Sequence, residues 1–137
     1  MLSGPRNTPT RAAIDLVLPL AAGAVIYQGG MVCADAAGLA IAGKTAAGLV
    51  VVGMAQISVR QADGDESVFV RPGTYLFGSL DGADQIGQAQ IGRVVYLVDD
   101  ETLAATNGGG TRSPAGVVID VEPAGVWVKI GPAVRQA

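Results

Sequence analysis

Histidine is missing from this 137-residue chain, and cysteine is nearly missing, with Cys33 alone. The first absence removes the commonest metal ligand, the usual general base and the usual activator of a nucleophile. The second excludes an intramolecular disulfide and a cysteine-built metal cage. Flanked by Val32 and Ala34, Cys33 reads as a small core residue. Aromatic residues are few: one Trp, three Tyr and two Phe. Charge is sparse too, with nine basic residues against twelve acidic ones and a net charge of -3. The basic residues are scattered, whereas a nucleic-acid surface calls for a basic stripe or interleaved aromatics, so no nucleic-acid partner is expected.

Long apolar runs are lacking as well. The nearest approach is Ala12–Ile26, which follows Arg6 and Arg11 and ends near a small-residue Ala22-Gly-Ala24, as a targeting segment would. Asp15 and Pro19 interrupt it, and it is shorter than a membrane span requires. With a period of two, Ile14, Leu16, Leu18 and Leu20 share one face and Asp15, Val17 and Pro19 the other, the pattern of a strand. No signal peptide and no membrane span are expected.

What the chain does have is glycine, twenty of them, with seven prolines and a dominance of valine and alanine. That is more punctuation than a helical protein tolerates, and it predicts many short strands joined by turns, in a sandwich or barrel. Strands are predicted at 14–20, 24–27, 31–34 and 39–42. Leu49–Val52 is a continuous apolar run, predicted to be buried on both faces. Gly53 interrupts before Met54–Arg60 and marks a bulge or bend in one long strand. Further strands are predicted at 67–70, 75–77, 93–98 and 102–105. Gly78–Gly92 is glycine-rich loop, with room for a short helix near Ala83–Gln90, and Thr106–Ser113 is a flexible loop. Length and the absence of a linker predict one β domain, 13–137, preceded by an extended N-terminal arm, 1–12, that lies across a neighbouring subunit or frays.

The clearest local signal is the C-terminal hairpin, two β-rich runs around Glu122-Pro123-Ala124-Gly125. A four-residue loop pairs Val121 with Val126, Ile119 with Val128 and Val117 with Ile130 on one apolar face. Val118, Asp120, Trp127 and Lys129 then form the other. Pro123 sets φ early in this turn and Gly125 takes a left-handed position. Slipping the register by one residue would exchange the faces. One dry face and one largely polar face describe a sheet laid on the outside of a β core.

Candidate chemistry is thin. Asp63, Asp65 and Glu66 supply oxygens, but their spacing departs from a calcium loop, and a solvated turn explains them. Of Asp99, Asp100 and Glu101 only the outer two can face the same way, and they too read as an exposed turn. Gly108-Gly109-Gly110 lacks the Lys-Ser/Thr and the helix start of a phosphate loop. No catalytic residue, metal or cofactor is expected. Trp127 stands out instead: a large aromatic on the polar face, opposite Asp120 and beside Lys129, needs something to cover it.

Several blocks carry a resemblance. They are Gly29-Gly30-Met-Val, Gly48-Leu-Val-Val-Val-Gly-Met-Ala-Gln, Val70-Arg-Pro-Gly-Thr-Tyr-Leu-Phe, Gly92-Arg-Val-Val-Tyr, Ala115-Gly-Val-Val-Ile-Asp and Gly125-Val-Trp-Val-Lys-Ile-Gly. In this order they resemble the small bacteriophage capsid decoration, or cement, proteins over most of the chain from Gly29 on. The resemblance implies an all-β fold, a β-sandwich or tulip-like β-barrel of short antiparallel strands with an extended N-terminal arm. It also implies a non-enzymatic, trimeric virion protein on the outer surface of the capsid. Such a protein binds between major capsid proteins and stabilises the expanded shell. No site residue carries over from it. Pro5, Arg6, Pro9 and Arg11 in the arm, with Trp127 and Lys129 on the hairpin, are the candidate subunit contacts. The competing expectations are a phage tail or baseplate β module and a small ligand-binding barrel.

Overall fold

The computed structural model describes Met1, residues 3–9 and residues 15–132. It is all-β: twelve short strands and three single-turn 3-10 segments among the described residues. The first strands in the chain are β1 (Leu16–Pro19), β2 (Val25–Ile26), β3 (Met31–Ala34), β4 (Ala40–Ala42), β5 (Val50–Ala55), β6 (Val59–Arg60) and β7 (Ser67–Arg71). Five of these form one antiparallel sheet in the order β1-β7-β5-β3-β4, and β2 pairs with β6 in a separate ribbon. A bridge from Leu20 to Ala40 ties the end of the β1 segment to β4, so the sheet curls back on itself. The remaining strands are β8 (Gly73–Ser79), β9 (Val94–Leu97), β10 (Thr102–Ala104), β11 (Pro114–Glu122) and β12 (Gly125–Ile130). They close a small barrel in the order β10-β8-β12-β11-β9, in which β8 and β10 run parallel.

Alternation explains the first sheet. Leu16 and Leu18 turn inward and Leu20 is buried, while Val17 and Pro19 face out, and on β7 Val68 and Val70 are buried between exposed Ser67, Phe69 and Arg71. These residues join Ile26, Val32, Val52, Ala55 and Val59 in one core. The barrel fills a second core with Phe77, Val95, Leu97, Leu103, Val118, Val126, Val128 and Ile130. β3 and β5 belong to both. Val32 and Val52 point into the first core, and Met31, Cys33 and Val51 into the second. The Leu49–Val52 run is thus buried on both faces at Val51 and Val52, as its continuous apolar character predicts, although Val50 is exposed.

Three sequence expectations need correcting. Gly53 marks a bulge within a strand, β5, as expected, opposite a register shift between Val32 and Cys33. The strand ends at Ala55 rather than running to Arg60, because Val59 and Arg60 leave it to pair with Ile26 and Val25. At Gly53 φ is +152°, and a side chain there would meet the Arg71 backbone at 2.7 Å, which fixes glycine at this position.

The second correction is the hairpin register. Val121 faces Val126 and Asp120 faces Trp127 as expected, but Glu122 also pairs with Gly125, leaving a two-residue loop of Pro123 and Ala124. A bulge at Ile119 then advances β11 by one residue, so that Val118 faces Val128 and Gly116 faces Ile130. Val118 is therefore core at 1% exposure, and Ile119 is 49% exposed. The bulge adds the twist a five-stranded barrel needs to close. Gly125 does take a positive φ, +150°, but as the first residue of β12 rather than in a left-handed helical turn, and it brings the chain close to the Phe77 carbonyl.

The third correction concerns loops. Gly78–Gly92 contains two separate 3-10 turns, Gly82–Asp84 and Gln88–Gln90, with buried Ile86 between them. Thr106–Ser113 is folded around Asn107, whose carbonyl accepts the amides of Gly110, Thr111 and Arg112. Asp84 holds it from outside, accepting the Thr106 hydroxyl and, at 3.2 Å, the Arg112 guanidinium.

Candidate subunit-contact surface

The outer face of the barrel is built by β8, β12 and β11. Trp127 alternates with the inward Val126 and Val128, so its ring must leave the core, and it sits between Leu76 of β8 and Asp120 of β11. The next row along the strands is Thr74, Lys129 and Val117. Trp127 is half-buried, Leu76 is 37% exposed, and Ile119 at the bulge is 49% exposed. An indole with apolar neighbours and one acid and one base at its margin has the anatomy of a contact patch, an aromatic centre with a polar rim. Because the rim carries both signs, a copy of the same face can meet it with opposite charges aligned.

A second exposed apolar pair lies on the first sheet, where Val17 and Phe69 are direct cross-strand neighbours at 57% and 51% exposure. Beside them Arg71 holds Asp15 with two charge-assisted bonds of 2.8 and 3.3 Å, and this hydrogen-bonded pairing keeps the Asp15 carboxyl below its ordinary range. The Tyr75 hydroxyl donates to the Arg71 carbonyl, and burial pushes its acidity down, raising its pKa. Sequence reasoning passed over Phe69, although the alternation of Val68, Phe69 and Val70 was sufficient to turn it outward.

Pro5, Arg6 and Pro9 are exposed, and the one backbone hydrogen bond among residues 3–9 is local, from the Thr8 amide to the Arg6 carbonyl. Arg11 falls outside the described residues. No hydrogen bond or ion pair among the described residues joins Pro5, Arg6 or Pro9 to Trp127 or Lys129.

The other candidates resolve into local structure. Asp65 accepts the Arg60 amide at 2.8 Å and Asp63 lies 3.5 Å from its guanidinium, so both acids brace a turn. Asp99 accepts the Glu101 amide at 2.9 Å. The Asn107 side chain takes the amides of Gly109 and Gly110, the donors a phosphate would have used. Cys33 is fully buried, and desolvation pushes its thiol up to about 12. Ser113 is the buried polar residue that the sequence did not flag. Its hydroxyl donates to the Ala46 carbonyl at 2.6 Å and accepts the Leu49 amide at 2.9 Å, pinning the segment before β5 to the start of β11.

Comparison with family models, with curated proteins and with solved structures finds no match for this chain.

Proposed function

We propose that this chain is a structural virion protein that binds the outside of a phage head between major capsid proteins and cements the expanded shell. The observation that carries the proposal is the Trp127 face: an aromatic centre with a mixed-charge rim, mounted on a closed barrel. Cementing needs contact area on a body that does not deform, and a closed barrel has no free strand edge to invite wrong pairing. Val17 and Phe69 offer a second contact patch on the other sheet, so one molecule can bridge two neighbours and modest contacts sum through multivalency. A closed homo-oligomer, a trimer as the family resemblance implies, would cover the Trp127 face with another surface of the neighbouring copy.

The test is co-sedimentation with phage heads before and after expansion. Retention on expanded shells and loss from precursor shells is the expected result. Failure to bind either, or retention on tails alone, would overturn the head assignment. In the same assay Trp127→Ala should weaken assembly more than folding. A large fall in the melting temperature of the free protein with assembly intact would make Trp127 a packing residue only.

A further inference from the structure

A groove runs between the two halves of the molecule. Its walls are the turn after β2, with Tyr27, and the turn after β9, with Asp100 and Glu101. Two adjoining hollows, of about 410 and 370 Å³, share Gly29 and Glu101 and extend the groove past Leu76 and Ala124. Tyr27 is 60% exposed. Neither Asp100 nor Glu101 belongs to an ion pair among the described residues. The Glu101 backbone is committed, its amide to Asp99 and its carbonyl to the Gly78 amide, which leaves its side chain facing solvent on a fixed turn.

The segment Ser3–Pro9 has the complementary chemistry. Arg6 is its one charged residue, Pro5 and Pro9 fix its φ angles and remove two amide donors, and all of it is exposed. A proline-stiffened segment docks on an aromatic wall at low entropic cost, and an arginine is attracted both to a tyrosine face and to carboxylates. From Arg6 to Asp15 an extended chain spans at most roughly 30 Å. That is close to the roughly 35 Å diameter of a body of this size, so Arg6 can reach past its own molecule's surface to a touching neighbour.

We infer that the groove between Tyr27 and Asp100–Glu101 binds the N-terminal segment of a second copy of this chain, with Arg6 set between the tyrosine ring and the two carboxylates. The exchange is a contact between copies and holds whether the assembled protein sits on a head, on a tail or on neither.

Charge exchange on the full-length protein tests it. Sedimentation velocity across a wide concentration range is expected to show concentration-dependent association of the wild type that weakens as salt is raised. Arg6→Glu alone and Glu101→Arg alone should each weaken association by roughly tenfold, since an attraction becomes a repulsion. Mixing the two variants should restore it, because the acidic arm of the first then meets the basic groove of the second. Circular dichroism should match the wild type for both variants, as both side chains are exposed and make no contact that holds the fold. A wild type that stays monomeric, single variants that associate normally, or a mixture that fails to recover would each overturn the inference.

Discussion

At the scale of single residues, Val118 and Ile119 decide the hairpin. Both are β-branched and apolar, and with Val117 they make three such residues in a row, so alternation alone leaves the register open. The bulge writes nothing into the sequence, because an extra residue in a run of similar ones has no signature of its own. The near-turn pairs Val121–Val126 and Asp120–Trp127 were legible because the turn and the Val-Trp-Val alternation agree. The structural register predicts that Val118→Ala costs about 2 kcal/mol, the loss of two buried carbons plus a cavity. Ile119→Ala should cost under about 0.5 kcal/mol, as for other surface positions. Urea midpoints for the two variants check this, and the opposite ranking would restore the simple hairpin. Cys33 gives a second prediction. Its folded thiol lies at about 12 against an ordinary 9.0, so the unfolded chain loses its proton first. The contribution is complete below about pH 9 and is lost progressively as pH rises from there towards 12. Cys33→Ala should lack this part of the alkaline decline, and the native thiol should resist a thiol reagent at pH 8 until the protein unfolds.

At the scale of elements, strands declared themselves through period two, whereas the fastenings between them did not. Leu16, Leu18 and Leu20 against Val17 and Pro19, or Val68 and Val70 against Phe69, are patterns any half-buried strand must show. A serine before a proline reads as loop, yet Ser113 serves two backbone groups more than sixty residues away in the chain. Nothing local distinguishes it from a solvated serine. Ser113→Ala removes both bonds and leaves the Ala46 carbonyl and Leu49 amide without that partner. The expected cost is about 1–3 kcal/mol. Ser113→Cys, which keeps a group of similar size but exchanges the hydroxyl for a weak donor and acceptor, should give little recovery in thermal melts, which separates lost hydrogen bonds from lost volume. Trp127 was legible as an outward residue for the same reason as Phe69. The groove was not, since it joins turns that are adjacent only after both halves have folded.

At the scale of the whole molecule, the two cores share a wall. β3 and β5 send alternate side chains into each, so neither core keeps its lining if the other dissolves. Unfolding is therefore expected to be one cooperative transition. Fluorescence of the single Trp127, which reports the barrel, and labelling of Cys33, which reports the shared wall, should give coincident denaturant curves. Separated midpoints would mean that the halves melt independently. The barrel's closure has a further consequence, for the order in which it forms. β11 and β12 meet across a two-residue loop, and β9 and β10 are near neighbours in the chain. The parallel ladder of β10 on β8 instead rests on two registered pairs, Thr102 with Gly78 and Leu103 with Ser79. Closing it encloses more than twenty intervening residues, so its entropic cost falls due after the local hairpins have formed. With two registered pairs against the five that join β8 to β12, this seam should be the first part of the barrel to open. Its ladder amides, Gly78 to the Glu101 carbonyl and Leu80 to the Leu103 carbonyl, should exchange hydrogen faster than those between β11 and β12.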